Sequence, residues 1–169
     1  MLQKLIERRQ KGQEEGFTLI ELMVVVLIIA ILIAIAIPTF LGARARAQDR
    51  AAQSSLRNAL TAAKTLYTDQ NDYSTALPGS STTGLQSVEP SLTYVAAGTA
   101  STEPKTVSVN VSGTGSITWS AAAMSKSGKC FTISDTSTGT GTVYNTTATG
   151  ANCTGTWATA NPGAAGSSW

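Results

Sequence analysis

The chain has 169 residues, 12 basic against 10 acidic side chains, a net charge of +2 and no histidine. This length sets a prior of one domain with an appendage at most. Near-neutral charge argues for neither a nucleic-acid binder nor an acidic-substrate enzyme, and the missing imidazole removes Ser-His-Asp and Cys-His catalysis and nearly every common zinc site. Charged residues make up only 13%, about half the usual share, so composition leans toward a structural or binding protein that needs no cofactor.

Residues 1–16, MLQKLIERRQKGQEEG, are polar and carry four basic and three acidic side chains. An apolar run, FTLIELMVVVLIIAILIAIAIP, follows at once. Sixteen consecutive apolar residues extend from Leu22 to Ile37, and Phe17 to Ile20 lengthen the stretch, with Glu21 the sole interruption. At roughly 1.5 Å per residue, a helix of about twenty residues crosses a bilayer of about 30 Å. A buried core helix is the alternative, but the rest of the chain is too poor in large apolar residues to wrap it.

Beyond Pro38 the pattern stays helical and becomes amphipathic. Leu56, Ala59, Leu60, Ala63, Leu66 and Tyr67 recur at steps of three and four and share one face. Arg44, Arg46, Arg50, Arg57 and Lys64 fall on other faces, with Asp49 the only acid among them. Asp69, Asn71 and Asp72, then Pro78-Gly79, signal the end. The organisation expected is a polar leader over 1–16, a membrane-spanning helix over 17–41, an amphipathic helix over 42–70 and a β-rich domain over 71–169.

The last 99 residues hold 36 Ser or Thr and only seven charges. Val107, Val109 and Val111 alternate with Ser108 and Asn110, the period of a half-buried strand. Ser116 to Met124, Lys129 to Ser134 and Thr142 to Thr146 are further strand candidates, separated by glycine-marked turns. The fold class predicted is α+β: a long N-terminal helix packed on an antiparallel sheet of about four strands. Residues 78–104 read as a loop-rich connection. The segment from Thr159 reads as poorly ordered or pinned only by Trp169. Asp135 reads as a turn residue without a second nearby carboxylate, which argues against calcium and leaves no metal site.

The junction Gly16-Phe17-Thr18-Leu19-Ile20-Glu21, with its polar leader and unbroken apolar stretch, resembles the type IV prepilin signature. The resemblance covers about residues 12–65 and does not extend over 75–169. It implies that a membrane-embedded prepilin peptidase cuts between Gly16 and Phe17 and that the new amino group of Phe17 is methylated. It implies that Glu21 serves assembly and that Pro38, with Gly42 one turn later, marks where the helix kinks or unwinds. The expected product is not an enzyme but the subunit of a type IV pilus. It waits as a single-pass precursor in the inner membrane among lipid and assembly machinery, then joins a homopolymer on the cell surface. Adhesion, twitching motility and DNA uptake are filament properties that one subunit sequence does not separate.

The physics at these positions agrees with the resemblance. A glycine before the cut offers little bulk to a protease. An unpaired carboxylate at Glu21 costs roughly 2.5–3.5 kcal/mol at a bilayer centre, and a helix N-terminus or a neighbouring Phe17 ammonium offsets it. Pro38 has no N–H and leaves the carbonyl of Ala34 without its usual donor.

Cys130 and Cys153 are the only cysteines and fall in the part the resemblance places outside the cell. There a single pair reads as a disulfide, where pilins commonly close a C-terminal loop. A catalytic thiol has no base to activate it. The five basic helix residues invite DNA binding, but no aromatics interleave with them as a stacking platform; pairing across subunits or with lipid phosphates is the stronger reading. Asn110, Asn145 and Asn152 each open an N-x-[ST] triplet, about as often as chance gives in so hydroxyl-rich a segment. Within the family the alternative is a type II secretion pseudopilin. Outside it, one alternative is a secreted adhesive or binding domain whose signal peptide is cut at Ala43-Arg44-Ala45 or Ala45-Arg46-Ala47, and another is an uncut single-span anchor.

Overall fold

Helix α1 spans Leu19–Gln70, 52 residues, in a computed structural model that describes residues 16–80, 82–147 and 152–169. The leader expected over 1–16 lies, but for Gly16, outside the described residues. The chain divides into two compact units between Gly42 and Ala43.

Among the described residues of the first unit, α1 is the sole element. Large apolar side chains from Phe17 to Leu41 are exposed, Phe17 by 82% and Ile35 by 67%. A helix apolar on all sides is a buried or membrane-spanning one, and this stretch is long and apolar enough to cross a bilayer. Helix α1 runs through Pro38, and the Thr39 hydroxyl donates to the carbonyl of Ile35 at 3.1 Å.

In the second unit the rest of α1 lies on a sheet of five strands. After α1 come helix α2 (Leu85–Val88), β1 (Thr93–Val95), β2 (Thr106–Ser112), β3 (Thr118–Met124), β4 (Cys130–Thr136), β5 (Gly141–Thr147) and helix α3 (Gly155–Ala160). The strands lie in sequence order. β2 to β5 form an antiparallel meander, and β1 joins its β2 edge in parallel, Tyr94 opposite Val107. The α+β class holds, with one strand more than the four expected. That strand falls in the supposed loop 78–104: three residues show too little alternation to read.

The core sits between α1 and one face of the sheet. Leu56, Ala59, Leu60 and Ala63, the face read from periodicity, are buried there, with Leu66 and Tyr67 partly buried at its margin. They meet Val107, Val109, Trp119, Ala121, Ala123, Phe131 and Ile133. Alanine supplies much of both surfaces, and Leu56, Trp119 and Ile133 are among the largest fully buried side chains. Trp119 is fully buried, and its Nε1–H donates to the carbonyl of Ala76 at 3.0 Å, which satisfies the one polar atom of the ring. Asn71 ends α1 in the left-handed region (φ 58°), as asparagine does at helix C-termini.

The opposite face is covered too. Helix α3 and the Cys130–Cys153 disulfide bury Ala122 and Ala158 there. Ser108, expected on a wet face, is fully buried; its hydroxyl donates to the carbonyl of Ala96 at 3.1 Å and accepts from the Gly155 N–H at 2.8 Å. A Cβ at Gly155 would lie 2.6 Å from the Val109 carbonyl carbon, so the start of α3 sits directly on the β2 backbone. Thr154 caps α3, its Oγ1 accepting from the Trp157 N–H at 3.1 Å.

Candidate processing and assembly site

Thr18 and Glu21 organise the start of α1. The Glu21 N–H donates to Thr18 Oγ1 at 3.2 Å, and the Glu21 carboxylate accepts from the Thr18 hydroxyl at 3.3 Å and the Thr18 N–H at 3.5 Å. This is a capping box, Thr-x-x-Glu, in which each partner satisfies an orphan donor of the other. Glu21 therefore directs its carboxylate back toward the residue that follows Phe17. The four-letter signature Thr18-Leu19-Ile20-Glu21 stood in the sequence, but the reading there took Glu21 only as a charge.

Gly16 and Phe17 are exposed and precede the helix. A Cβ at Gly16 would meet nothing within 4 Å among the described residues. Pro38 and Gly42 stand one turn apart inside α1, with helix on both sides.

Two ion pairs tie helix α1 to the sheet in the second unit, Asp49 with Lys129 and Lys64 with Asp135. Asp49, on α1, accepts from Ser125 Oγ at 2.7 Å, from Ser127 Oγ, and from Lys129 Nζ at 3.1 Å. All three donors lie in or next to the β3–β4 turn, so one carboxylate holds that turn on the helix. Burial alone would raise the Asp49 pKa; the hydroxyls of Ser127 and Ser125 and the Lys129 ammonium outweigh it and hold it below the ordinary value.

Asp135 is not a turn residue. It is the sixth residue of β4, is buried, and faces α1. Lys64 Nζ lies 3.0 Å from its Oδ1, the Tyr73 hydroxyl donates to its Oδ2 at 2.5 Å, and the Thr142 hydroxyl donates to its Oδ1. Burial pushes its pKa up, and the Thr142 and Tyr73 hydroxyls with Lys64 bring it below normal. The Tyr73 hydroxyl is pushed up by burial and by the Asp135 charge. The Ser/Thr/Gly surroundings suggested a turn because strand β4 is itself built from small hydroxyl residues.

The basic stripe divides accordingly. Arg44, Arg46 and Arg50 are exposed. Arg57 stacks over the Trp169 ring at 5.3 Å from its centroid, and Lys64 pairs with Asp135. Those two each have a partner inside the chain. Among the described residues no group of three or more His, Cys, Asp or Glu is placed to hold a metal.

Cys130 and Cys153 are bonded, with Cα atoms 5.4 Å apart and both side chains buried. The bond joins the first residue of β4 to the chain just before α3, so it fastens α3 over the second face of the sheet. The family model described as the prokaryotic N-terminal methylation motif matches residues 8–37. No curated protein and no solved structure matches the chain.

Proposed function

We propose that this chain, which carries the type IV prepilin-like N-terminal methylation motif, is a structural subunit that polymerises into a type IV pilus and catalyses nothing. The observation that carries the reading is the motif's run into a helix whose large apolar side chains are left exposed among the described residues. Such a surface is stable only in lipid or against other apolar helices.

The sequence of events follows from the residues. The precursor holds the apolar part of α1 in the inner membrane. A prepilin peptidase cuts after Gly16 and methylates Phe17. The capped first turn then presents the Glu21 carboxylate beside the helix N-terminus, where a neighbouring subunit's Phe17 ammonium can pair with it as both leave lipid for the filament core. An unpaired charge there would carry a large desolvation cost. Pro38 and Gly42 supply slack where the helix passes from the core to the second unit. Within the family, the disulfide-closed and hydroxyl-rich second unit favours a pilus over a secretion pseudopilin.

Shearing of cells that produce the chain tests this. The chain should be a principal component of the detached filaments. Its confinement to the membrane fraction, with filaments made of other proteins, would overturn the reading.

A further inference from the structure

Strand β5 is the last strand of the sheet, so its outer backbone groups face no other strand among the described residues. Its sequence, Gly141-Thr-Val-Tyr-Asn-Thr-Thr147, has neither charge nor proline. Both are devices by which exposed sheet edges avoid pairing with other chains. The segment Pro162–Trp169 occupies that edge instead. The Tyr144 N–H donates to Ser167 Oγ at 2.9 Å, and the same hydroxyl donates to the Tyr144 carbonyl at 2.7 Å. One serine thus imitates the paired contacts of a neighbouring strand. Asn145 Nδ2 donates to the Asn161 carbonyl at 3.1 Å, and Trp169 Nε1 donates to the Asn145 carbonyl at 2.9 Å.

The segment is anchored at its far end. The Trp169 ring packs edge-on against Tyr144 and Phe131, with centroids 4.6 Å and 6.0 Å away. It closes the side of the helix–sheet layer next to β5. The approach is so close at Gly163 that a Cβ would fall 1.8 Å from the Tyr144 carbonyl oxygen.

We propose that Pro162–Trp169 is a strap that keeps the β5 edge from pairing with the β5 edge of a second copy. An identical copy suits this edge. In an antiparallel pair centred on Tyr144, Thr142 of each chain falls opposite Thr146 of the other with no like charges apposed, and the Thr146 N–H exchanges its 2.7 Å bond to Asn145 Oδ1 for one across the pair. The proposal does not depend on the pilus reading, because it concerns only the second unit.

The test uses the full chain in detergent micelles, with hydrogen exchange at Tyr144 and light scattering as readouts. Gly163→Ala should drive the strap off and take the Trp169 ring from the margin of the core, while β5 and the disulfide keep their sequence and pairing. The Tyr144 amide should exchange about tenfold faster or more, and the chain should gain a dimer relative to the unsubstituted protein. Thr146→Lys in the Gly163→Ala background places charge on the exposed edge and should abolish the dimer while exchange stays fast. Gly98→Ala, where a Cβ meets open space, should change neither readout. Ser167→Ala is the milder probe should Gly163→Ala fail to fold, and it should shift both readouts in the same direction. Unchanged Tyr144 exchange in Ser167→Ala and in folded Gly163→Ala would overturn the strap. Faster exchange in a chain that gains no dimer would overturn pairing with a second copy.

Discussion

Lys64 on helix α1 and Asp135 on strand β4 form an ion pair of 3.0 Å in which the lysine is half exposed and the aspartate is buried. The two partners are therefore not equivalent. Asp135 keeps the Tyr73 and Thr142 hydroxyls as donors if Lys64 is lost, whereas loss of its charge weakens three interactions at once. Asp135→Asn should cost about 1–3 kcal/mol, and Lys64→Met no more than about 1 kcal/mol, as exposed pairs do. Thermal unfolding of the full chain in detergent measures both. Equal losses would mean that the ammonium, not the hydroxyls, holds the carboxylate.

Asp49 and Asp135 also set an acid limit. Both carboxyls lie below the ordinary value in the folded chain. As pH falls, the unfolded chain takes up their protons first, near the ordinary carboxylate value of about 3.9. Their contribution is full above about pH 5 and is lost as pH falls through their lower folded values. The melting temperature should fall on that acid limb, and Asp49→Asn combined with Asp135→Asn should flatten it. An unchanged acid limb in the double variant would remove these two groups as its cause.

The disulfide should matter most to the face that α3 covers, where the buried cluster is small: Ala122, Ala158 and the two cysteines. Closing a loop of 22 intervening residues is worth about 3 kcal/mol on the loop-entropy model. Cys130→Ser with Cys153→Ser should lower the melting temperature and speed hydrogen exchange in α3 more than in the α1 half that faces the core. Equal acceleration in both would show that α3 is not a separate dependant of the bond.

How much was legible follows from pattern length. The sixteen-residue apolar run and the 3.6-residue recurrence from Leu56 to Tyr67 are long signals, and helix α1 was read from them. The Val107, Val109, Val111 alternation gave β2 and its core face. Ser108 and Asn110 read as solvent-facing because local alternation does not report that α3, over forty residues later in sequence, covers them; Asn110 Nδ2 donates to Thr159 Oγ1 at 2.8 Å. The parallel strand β1 was hidden by its three-residue length. Asp135 was misplaced in a turn because hydroxyl-rich strands mimic turn composition. The final segment is held by Asn161 and Ser167 as well as Trp169, contacts of backbone edges that no side-chain pattern encodes. At the candidate site, the Thr18–Glu21 capping box was written in four adjacent letters, while its relation to any neighbouring subunit is not a property of one chain.

The capping box separates two roles of Glu21. Glutamine serves the box nearly as well as glutamate but carries no charge. Glu21→Gln should therefore keep the first turn, still be cut after Gly16 and fail to form filaments. Glu21→Ala should lose both cap and charge, enter the membrane more easily and also be cut without assembling. The ratio of surface filament to processed membrane pool measures this. Normal filaments from Glu21→Gln would show that charge is not its contribution, and an uncut pool would move its role to peptidase recognition.

On the proposed function, this chain is cut after Gly16 and assembled from Phe17 onward. Intact mass spectrometry of the chain from sheared surface filaments tests it most directly. The expected first residue is Phe17, bearing one methyl group on its amine. A chain that still carries residues 1–16, or one that begins at Arg46 or Gln48, would contradict it.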